Sequence, residues 1–368
     1  MATAQPAFGG VREVAPPALQ RLIHACLEPD PEARLQSAHD AGMMLAAVTE
    51  APGVTASRSP RPGWLWTTVT ALAVILAAGL AWWLRPAPAA ARTVTEITPP
   101  PGLHFDFGGS RPGPPAVSPD GRQVVFSAQN SSGRFALWLR SLDGLEAREL
   151  PGTQGGVFPF WSPDGKSVGY FTAAGPALEG KLMVLNLAGG LPRTLAGMRT
   201  ARGGAWTAAG GAGGTIVVSP SVTGGLMRIS ALGGPATPAV PFNSAQFDSL
   251  RFPSFLPDGK HFLYLAINHS DSAQDAIYLA SLDGGAPKLL VHSLSAGIFA
   301  AGRLLYSSDR TLMAQPLDPA TGTLSGSPQP VAQDVFEDSV TWRAAYSASR
   351  KGVLVYAGGD AGDQQLAW

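Results

Sequence analysis

The longest apolar run of the chain covers residues 64–84 and contains no charged side chain. A helix needs about 20 apolar residues to cross the hydrocarbon core of a bilayer, so this run predicts a transmembrane helix. Tryptophans stand at both ends of the run, where indole rings favour the membrane interface. A buried core helix and a signal peptide are the alternatives, but about sixty residues precede the run, which is too many for a signal peptide.

The residues before this run have the apolar spacing of two short helices. The apolar residues of the first helix fall on one face: Leu19, Leu22, Ile23, Cys26 and Leu27. The second helix covers residues 41–48. Two helices of this size bury too little apolar surface for a stable core, so residues 1–50 are predicted to be the edge of a larger domain. Residues 51–63 are rich in Pro, Gly and Ser and predict a linker.

A repeated pattern of apolar strands and tight turns fills the rest of the chain. Clear copies of an apolar strand followed by Pro-Asp-Gly and a second apolar strand begin at Ala116, Phe160 and Ser254. Weaker copies lie at residues 205–219, 298–308 and 345–358, and successive copies are 44 to 49 residues apart. This spacing is typical of the four-stranded blade of a β-propeller.

The fold class predicted from these patterns is mainly β. We expect a six-bladed propeller over residues 93–368, preceded by the transmembrane helix and the short helical segment. The last blade is incomplete in this prediction, unless the strand around residues 93–97 pairs with it and closes the ring.

Composition excludes some classes of function. The 26 Lys and Arg residues balance 26 Asp and Glu residues, so the chain lacks the basic footprint of a nucleic-acid-binding protein. The single cysteine, Cys26, allows no disulfide within the chain. The 44 glycines and 33 prolines are spread widely, which favours many short strands joined by turns.

We find no motif for catalysis, for a cofactor or for a metal ion, and we expect none of these sites. None of the six histidines stands at a spacing typical of metal ligands from another His or from Cys26. We identify no nucleophile elbow, the strand–turn–helix in which hydrolases of that type place a Gly-x-Ser-x-Gly sequence. The tryptophans at 138, 161, 206 and 342 are predicted to be blade core rather than a ligand cage.

The Pro-Asp-Gly residues of the repeats are the candidate structural residues. Proline presets φ, aspartate accepts a hydrogen bond from the local backbone, and glycine takes a positive φ. Their aspartates could form a ring of carboxylates, but turn formation explains them better. The predicted structural residues are Asp120, Gly121, Asp164, Gly165, Asp258 and Gly259.

Residues 8–50 resemble the end of the C-terminal lobe of Ser/Thr protein kinases. The segment L-I-H-A-C-L-E-P-D-P-E-A-R at residues 22–34 has the apolar helix, the Cys-Leu pair, the acidic proline-rich turn and the arginine of that family. The resemblance implies a structural role for Arg34, whose glutamate partner in the family is missing here. The Gly-rich loop, the catalytic lysine and the catalytic loop are also missing, and the Asp-Phe-Gly sequence at 106–108 has no such loop before it. We therefore expect no kinase activity.

The repeats resemble the TolB-like branch of the WD40-like propellers, whose Ser-Pro-Asp-Gly signature is intact at Ser118 and Ser162. Together the two resemblances imply the C-terminal part of a bacterial membrane-anchored Ser/Thr kinase. They imply a single-pass protein of the inner membrane, with a cytoplasmic N-terminus and a periplasmic propeller.

The implied function is a non-catalytic sensor or interaction module. The propeller would bind a protein or peptide ligand, and the anchor would contact membrane lipid, whereas nucleic acid is not expected as a partner. An envelope scaffold that docks proteins, like TolB, and a truncated gene fragment without its own activity are the alternatives.

Overall fold

The computed structural model describes residues 17–26, 30, 37, 39, 42–43, 74–76, 95–108, 113–172, 179–339, 341–359 and 365–367. The chain divides into two compact units, residues 1–90 and residues 91–368.

The first unit contains helix α1, Pro17–Cys26. Proline suits the first turn of a helix because its missing N–H would have no helical partner there. This helix is the first of the two predicted from the apolar spacing. Most of the second predicted helix, residue Arg34 and the linker at 51–63 lie outside the described residues.

The predicted membrane anchor is not found. Of residues 64–84 the structure describes 74–76, which are helical and have exposed side chains, and the others lie outside the described residues. No helix within the described ranges is long and apolar enough to cross a membrane. A span needs a continuous helix as well as an apolar run, because every backbone polar group must be paired within the lipid. The predicted transmembrane helix is therefore wrong. The predicted single-pass location in the inner membrane, with a cytoplasmic N-terminus and a periplasmic propeller, is wrong for the same reason.

The second unit consists of antiparallel strands, numbered here in chain order. It begins with β1 (Glu96–Ile97). Blade 1 contains β2 (Leu103–His104), β3 (Ala116–Val117), β4 (Gln123–Asn130), β5 (Phe135–Ser141) and β6 (Ala147–Glu149). Blade 2 contains β7 (Gly156–Trp161), β8 (Ser167–Thr172), β9 (Gly180–Asn186) and β10 (Arg193–Met198). Blade 3 contains β11 (Gly204–Thr207), β12 (Thr215–Val218), β13 (Met227–Ser230) and β14 (Thr237–Pro238).

Blade 4 contains β15 (Ser249–Phe255), β16 (His261–Ile267), β17 (Ala276–Ser281) and β18 (Lys288–His292), with a 3₁₀ turn at Ser272–Gln274. Blade 5 contains β19 (Ile298–Ala300), β20 (Arg303–Ser308), β21 (Thr311–Asp318), β22 (Thr323–Leu324) and β23 (Gln329–Ala332). The hairpin of β24 (Glu337–Asp338) and β25 (Arg343–Ala344) follows. The last strands are β26 (Tyr346–Ala348), β27 (Leu354–Gly358) and β28 (Gln365–Ala367).

The burial of the strands explains why they form stacked blades. In β16 six consecutive residues after His261 are buried, because both faces of this strand are covered by neighbouring blades. By contrast, the outer strand β6 is exposed or half-buried along its length. Each blade is thus apolar near the centre and polar at its outer edge, and only stacking around a ring covers the inner strands.

The count of blades differs from the prediction. Blades 1 to 5 are each built from strands that follow one another in the chain. The remaining sheet, with the order β1-β28-β27-β26, combines both ends of the unit, and we call it the closing sheet. In it Glu96 pairs with Ala367 and Ile97 with Leu366.

The predicted fold class of six blades behind a transmembrane helix is therefore wrong. The described chain is mainly β, with five blades of consecutive strands, the composite closing sheet and short helices. The repeat count was misleading because the sixth turn marks the hairpin of β26 and β27, whose sheet is completed by β28 and by β1 from the other end of the unit. The pairing of the strand near residues 93–97 with the C-terminal strand is the alternative that the structure shows.

Candidate binding site in the central channel

The predicted turn residues lie on the face of the second unit where the innermost strands end. Asp120 accepts hydrogen bonds from Ser118 Oγ at 2.6 Å and from the backbone N–H of Arg122 at 3.1 Å. The serine hydrogen bond, followed by the backbone one, lowers the pKa of Asp120. Gly121 has φ +74° and donates its N–H to the carbonyl of Ser118 at 2.9 Å. This φ favours glycine because a Cβ would be strained there.

The other two clear repeats form the same turn. Asp164 accepts a hydrogen bond from Ser162 Oγ at 2.6 Å, and this bond lowers the pKa of Asp164. Asp258 has no serine partner in blade 4 and accepts the backbone N–H of His261 at 3.0 Å instead. The glycines of these turns also have positive φ, +70° at Gly165 and +71° at Gly259.

A funnel opens on the same face and leads into the central channel. The innermost strand of every sheet contributes to its wall: β3, β7, β11, β15, β19 and β26. The funnel has a volume of about 250 Å³ and is open to solvent. Its half-buried wall residues include Trp206, Phe255, Phe299 and Ala348. Aromatic, proline and small side chains therefore face the opening.

Arginine supplies the charge of the funnel. Of the residues that line it, Arg343 and Arg350 are charged, and none of these described residues is Asp, Glu, His or Cys. Arg350 is exposed and lies in the turn of the closing sheet, at the position that proline occupies in blade 1. Arg343 is buried, and its guanidinium lies 5.5 Å from the ring centre of Phe158.

Two of the residues that line the funnel, Phe158 and Phe252, have ring centres 6.3 Å apart, and we call this pair the waist. Both residues have positive φ, +49° and +51°, and both sit in bulges of their strands. A bulge bends the strand and redirects its side chains. Glycine is required opposite these bulges, because a Cβ on Gly113 would overlap Phe158 Cα and one on Gly203 would lie 3.2 Å from Phe252 Cα.

A cluster of buried arginines lies at the waist and on the side away from the turns. Arg202, Arg251 and Arg343 are each less than 5% exposed. Arg251 donates to Val222 O at 2.7 Å and to Ser249 Oγ at 2.9 Å. We call these three residues the arginine cluster.

The hydrogen bonds of the cluster are incomplete. Arg343 donates Nη2 to the carbonyl of Phe107, and the same nitrogen lies 3.5 Å from Asp338 Oδ2. Its Nε and Nη1, and the Nε of Arg202, are buried without a hydrogen-bond partner among the described residues. Buried polar groups in proteins are normally paired, so unpaired guanidinium nitrogens mark capacity for a further acceptor.

Aromatic and acidic residues border the cluster. The guanidinium of Arg251 lies 5.2 Å from the ring centre of Trp342, whose Nε1 donates to Asp275 Oδ2 at 2.7 Å. The half-exposed ring of His269 lies 5.2 Å from Trp342, and its Nε2 is 3.3 Å from Arg251 Nη2.

The electrostatics reflect this crowding. Burial, and then the nearby charge of Arg202, lower the pKa of Arg251 to about 10. Burial lowers the pKa of Arg343 to about 10, although the charge of Asp338 opposes the shift. Burial raises the pKa of Asp275. At neutral pH the three guanidiniums are charged. Burying these charges away from water costs folding free energy that their partners offset only in part.

Sequence reasoning missed the arginine cluster. A signal for two of its members is present, since Arg251 stands seven residues before Asp258 and Arg202 seven before Ala209, the matching turn position. The shared feature is an arginine seven residues before the turn, in β15 for Arg251 and just before β11 for Arg202. Of the four tryptophans, Trp138 and Trp161 pack in blade cores as predicted, Trp161 and Trp206 line the funnel, and Trp342 lies under Arg251.

Metal-ligating side chains do not converge in the described part of the chain: no group of three His, Cys, Asp or Glu is placed to hold an ion.

No family model and no curated protein matches the sequence. Solved structures are similar in fold. TolB from Acinetobacter baumannii is 13% identical with a TM-score of 0.46, over 60% of this chain and 54% of TolB. The PQQ-bound aldose sugar dehydrogenase of Streptomyces coelicolor is 12% identical with a TM-score of 0.49, over 76% of this chain and 98% of the enzyme. Oligogalacturonate lyase from Vibrio parahaemolyticus is 12% identical with a TM-score of 0.45, over 76% of this chain and 94% of the lyase.

The matched part thus spans about half the length of TolB, at 54%. These similar structures include enzymes and TolB, and similarity at this level assigns neither a substrate nor a partner to this chain.

Proposed function

We propose that this chain is an interaction scaffold whose propeller binds a peptide or a protein segment in the funnel. The observation that carries the proposal is the open funnel of about 250 Å³ with aromatic, proline and small side chains on its wall. Concave apolar sites with a few polar groups are typical ligand sites. Short peptide segments suit such a wall because prolines and aromatic rings are rigid and bury apolar area at low entropic cost.

Binding is a better proposal than catalysis for this site. Acid–base and nucleophilic chemistry needs groups such as His, Asp, Glu or Cys within reach of the substrate. The described residues that line the funnel include serines and Tyr346 but none of these four types, so no lining His, Asp or Glu is present to activate a serine. The kinase parentage stays a prediction, because Arg34 and most of the segment that resembles a kinase lie outside the described residues.

The full chain and a synthetic library of N-acetylated tetrapeptides test the proposal. Half of the library carries a free C-terminal carboxylate and half a C-terminal amide. Peptides retained with the protein on gel filtration are identified by mass spectrometry. We expect the wild-type chain to retain a defined subset.

A matched pair of variants locates the binding. Ala348→Trp places a large ring in the funnel wall, and we expect it to reduce retention at least about tenfold, which corresponds to about 1.4 kcal/mol. Ala188→Trp changes an exposed alanine in the turn between β9 and β10 and should leave retention unchanged. Failure of the wild type to retain any peptide, or equal retention by Ala348→Trp, would contradict the proposal.

A further inference from the structure

The charge of the funnel is one-sided. Its two charged lining residues are both arginines, Arg343 at the floor and Arg350 at the rim, and no acidic residue is among the described residues of the wall. Asp338 and the carbonyl of Phe107 approach Arg343 through its Nη2. The Nε and Nη1 of Arg343 have no hydrogen-bond partner among the described groups. A buried guanidinium with two unpaired N–H groups favours an anionic acceptor, because charge-assisted hydrogen bonds are the strong ones.

We propose that the funnel recognises the C-terminal end of a peptide or protein, with the terminal carboxylate on Arg343 and an apolar last side chain against the aromatic wall. This inference rests on the proposed function and names its ligand class. Arg350 at the rim adds a second positive charge along the path of the approaching carboxylate.

Volume and charge both favour a carboxylate at a chain end. The volume of about 250 Å³ lies at or below the lower limit of common ligand pockets, roughly 300 Å³, so a chain end fits better than a folded segment. A carboxylate carries one negative charge and therefore costs less to bury than a group with two. A phosphate carries nearly two charges and would cost more to bring into an apolar wall.

The two halves of the tetrapeptide library test the inference with the full chain. We expect the wild type to retain free-acid peptides at least about tenfold more than their amides, because truncating one partner of a buried charge pair is costly. Apolar residues should be enriched at the last position of the retained free acids. If amides are retained only where they contain Asp or Glu, the recognised carboxylate comes from a side chain. That result would overturn recognition of the C-terminal end.

Variants of the two arginines separate recognition from folding. Arg343→Lys keeps the positive charge but removes the guanidinium, and we expect a loss of free-acid affinity of about thirtyfold. Arg350→Gln changes an exposed residue and should lower the same affinity about threefold without changing the melting temperature. Lys351→Gln is the matched control, since Lys351 is also exposed and adjacent but does not line the funnel.

The outcomes distinguish the two proposals. No retention from either half of the library would overturn the proposed function itself. Equal retention of free acids and amides would overturn only the carboxylate inference. Equal losses in Arg350→Gln and Lys351→Gln would also overturn it, because the loss would then come from general surface charge.

Discussion

The two ends of the central channel are stabilised by different means. At the turn end, local backbone geometry holds the structure, with glycines at positive φ and Ser–Asp hydrogen bonds within each turn. At the other end, the buried arginines depend on the nearby carboxylate of Asp338 and on carbonyls from distant parts of the chain, Val222 for Arg251 and Phe107 for Arg343. Substitutions in the turns lower stability little, because each turn depends only on local geometry. The turn of the closing sheet can therefore have Arg350 and Lys351 where blade 1 has proline and aspartate. The second is sensitive to any loss of a partner, because an unpaired buried charge is expensive.

Removing an acidic partner at the arginine end should have the largest effect. Asp338 is 8% exposed, accepts a hydrogen bond from Thr341 Oγ1 at 2.9 Å and lies 3.5 Å from Arg343 Nη2. We expect Asp338→Ala to lower the free energy of unfolding by about 4 kcal/mol, measured by urea denaturation. The control is Asp283→Ala, which removes an exposed ion pair with Lys260 and should have no measurable effect. Similar small effects of both variants would show that the arginine end does not depend on its carboxylate.

The waist between the two ends should be the next most sensitive position. In Gly113→Ala the new Cβ would overlap Phe158 Cα, so backbone must move, and we expect a loss of about 3 kcal/mol in the same denaturation assay. Gly197→Ala in β10 is the matched control, because a Cβ there has open space around it. If Gly113→Ala lowered stability no more than Gly197→Ala does, the result would contradict the close packing of blades 1 and 2.

A glycine of the turn end should matter less. Gly121 has φ +74°, which costs a residue with a Cβ roughly 1–2 kcal/mol. We expect Gly121→Ala to lower stability by about that amount and to shift the thermal midpoint downward. Gly144→Ala lies in a turn of the same blade, has an ordinary φ and would bring the new Cβ only into ordinary contact with Ser141 at 3.9 Å, so it should change the midpoint little.

The smallest predicted effect is a pH dependence at the turn end. Hydrogen bonds lower the folded pKa of Asp120 and Asp164 below their ordinary value of 3.8, so the stabilisation is complete above that value and is lost as the pH falls through the folded pKa. The stability difference between wild type and the double variant Asp120→Asn, Asp164→Asn should therefore shrink below about pH 4. A difference that is constant from neutral pH to about pH 3 would show that ionisation of these carboxylates is irrelevant.

Local chemistry explains which parts of this fold could be predicted. The turns at Asp120 and Asp164 depend on residues within a few positions of one another, so the repeat and its β-strands could be read directly. Helix α1 was predictable for the same reason, since its apolar face and its prolines are local signals. The number of blades was not, because β1 joins a sheet whose other strands come from the far end of the unit. The apolar run at 64–84 has the length of a membrane span, but no helix among the described residues is long and apolar enough to cross a membrane.

The sequence by itself determined the repeats, the turns and the mainly β class, because these depend on short-range steric and hydrogen-bonding preferences of Pro, Asp and Gly. The tertiary structure alone decided that Arg202, Arg251 and Arg343 meet at the channel axis, and that Arg343 and Arg350 share one funnel. A ring of blades brings the same position of each innermost strand to the centre, whatever its distance along the chain. Arg202 and Arg251 share a repeat position but Arg343 does not, so the repeat alone does not encode the meeting of these residues in a single electrostatic site.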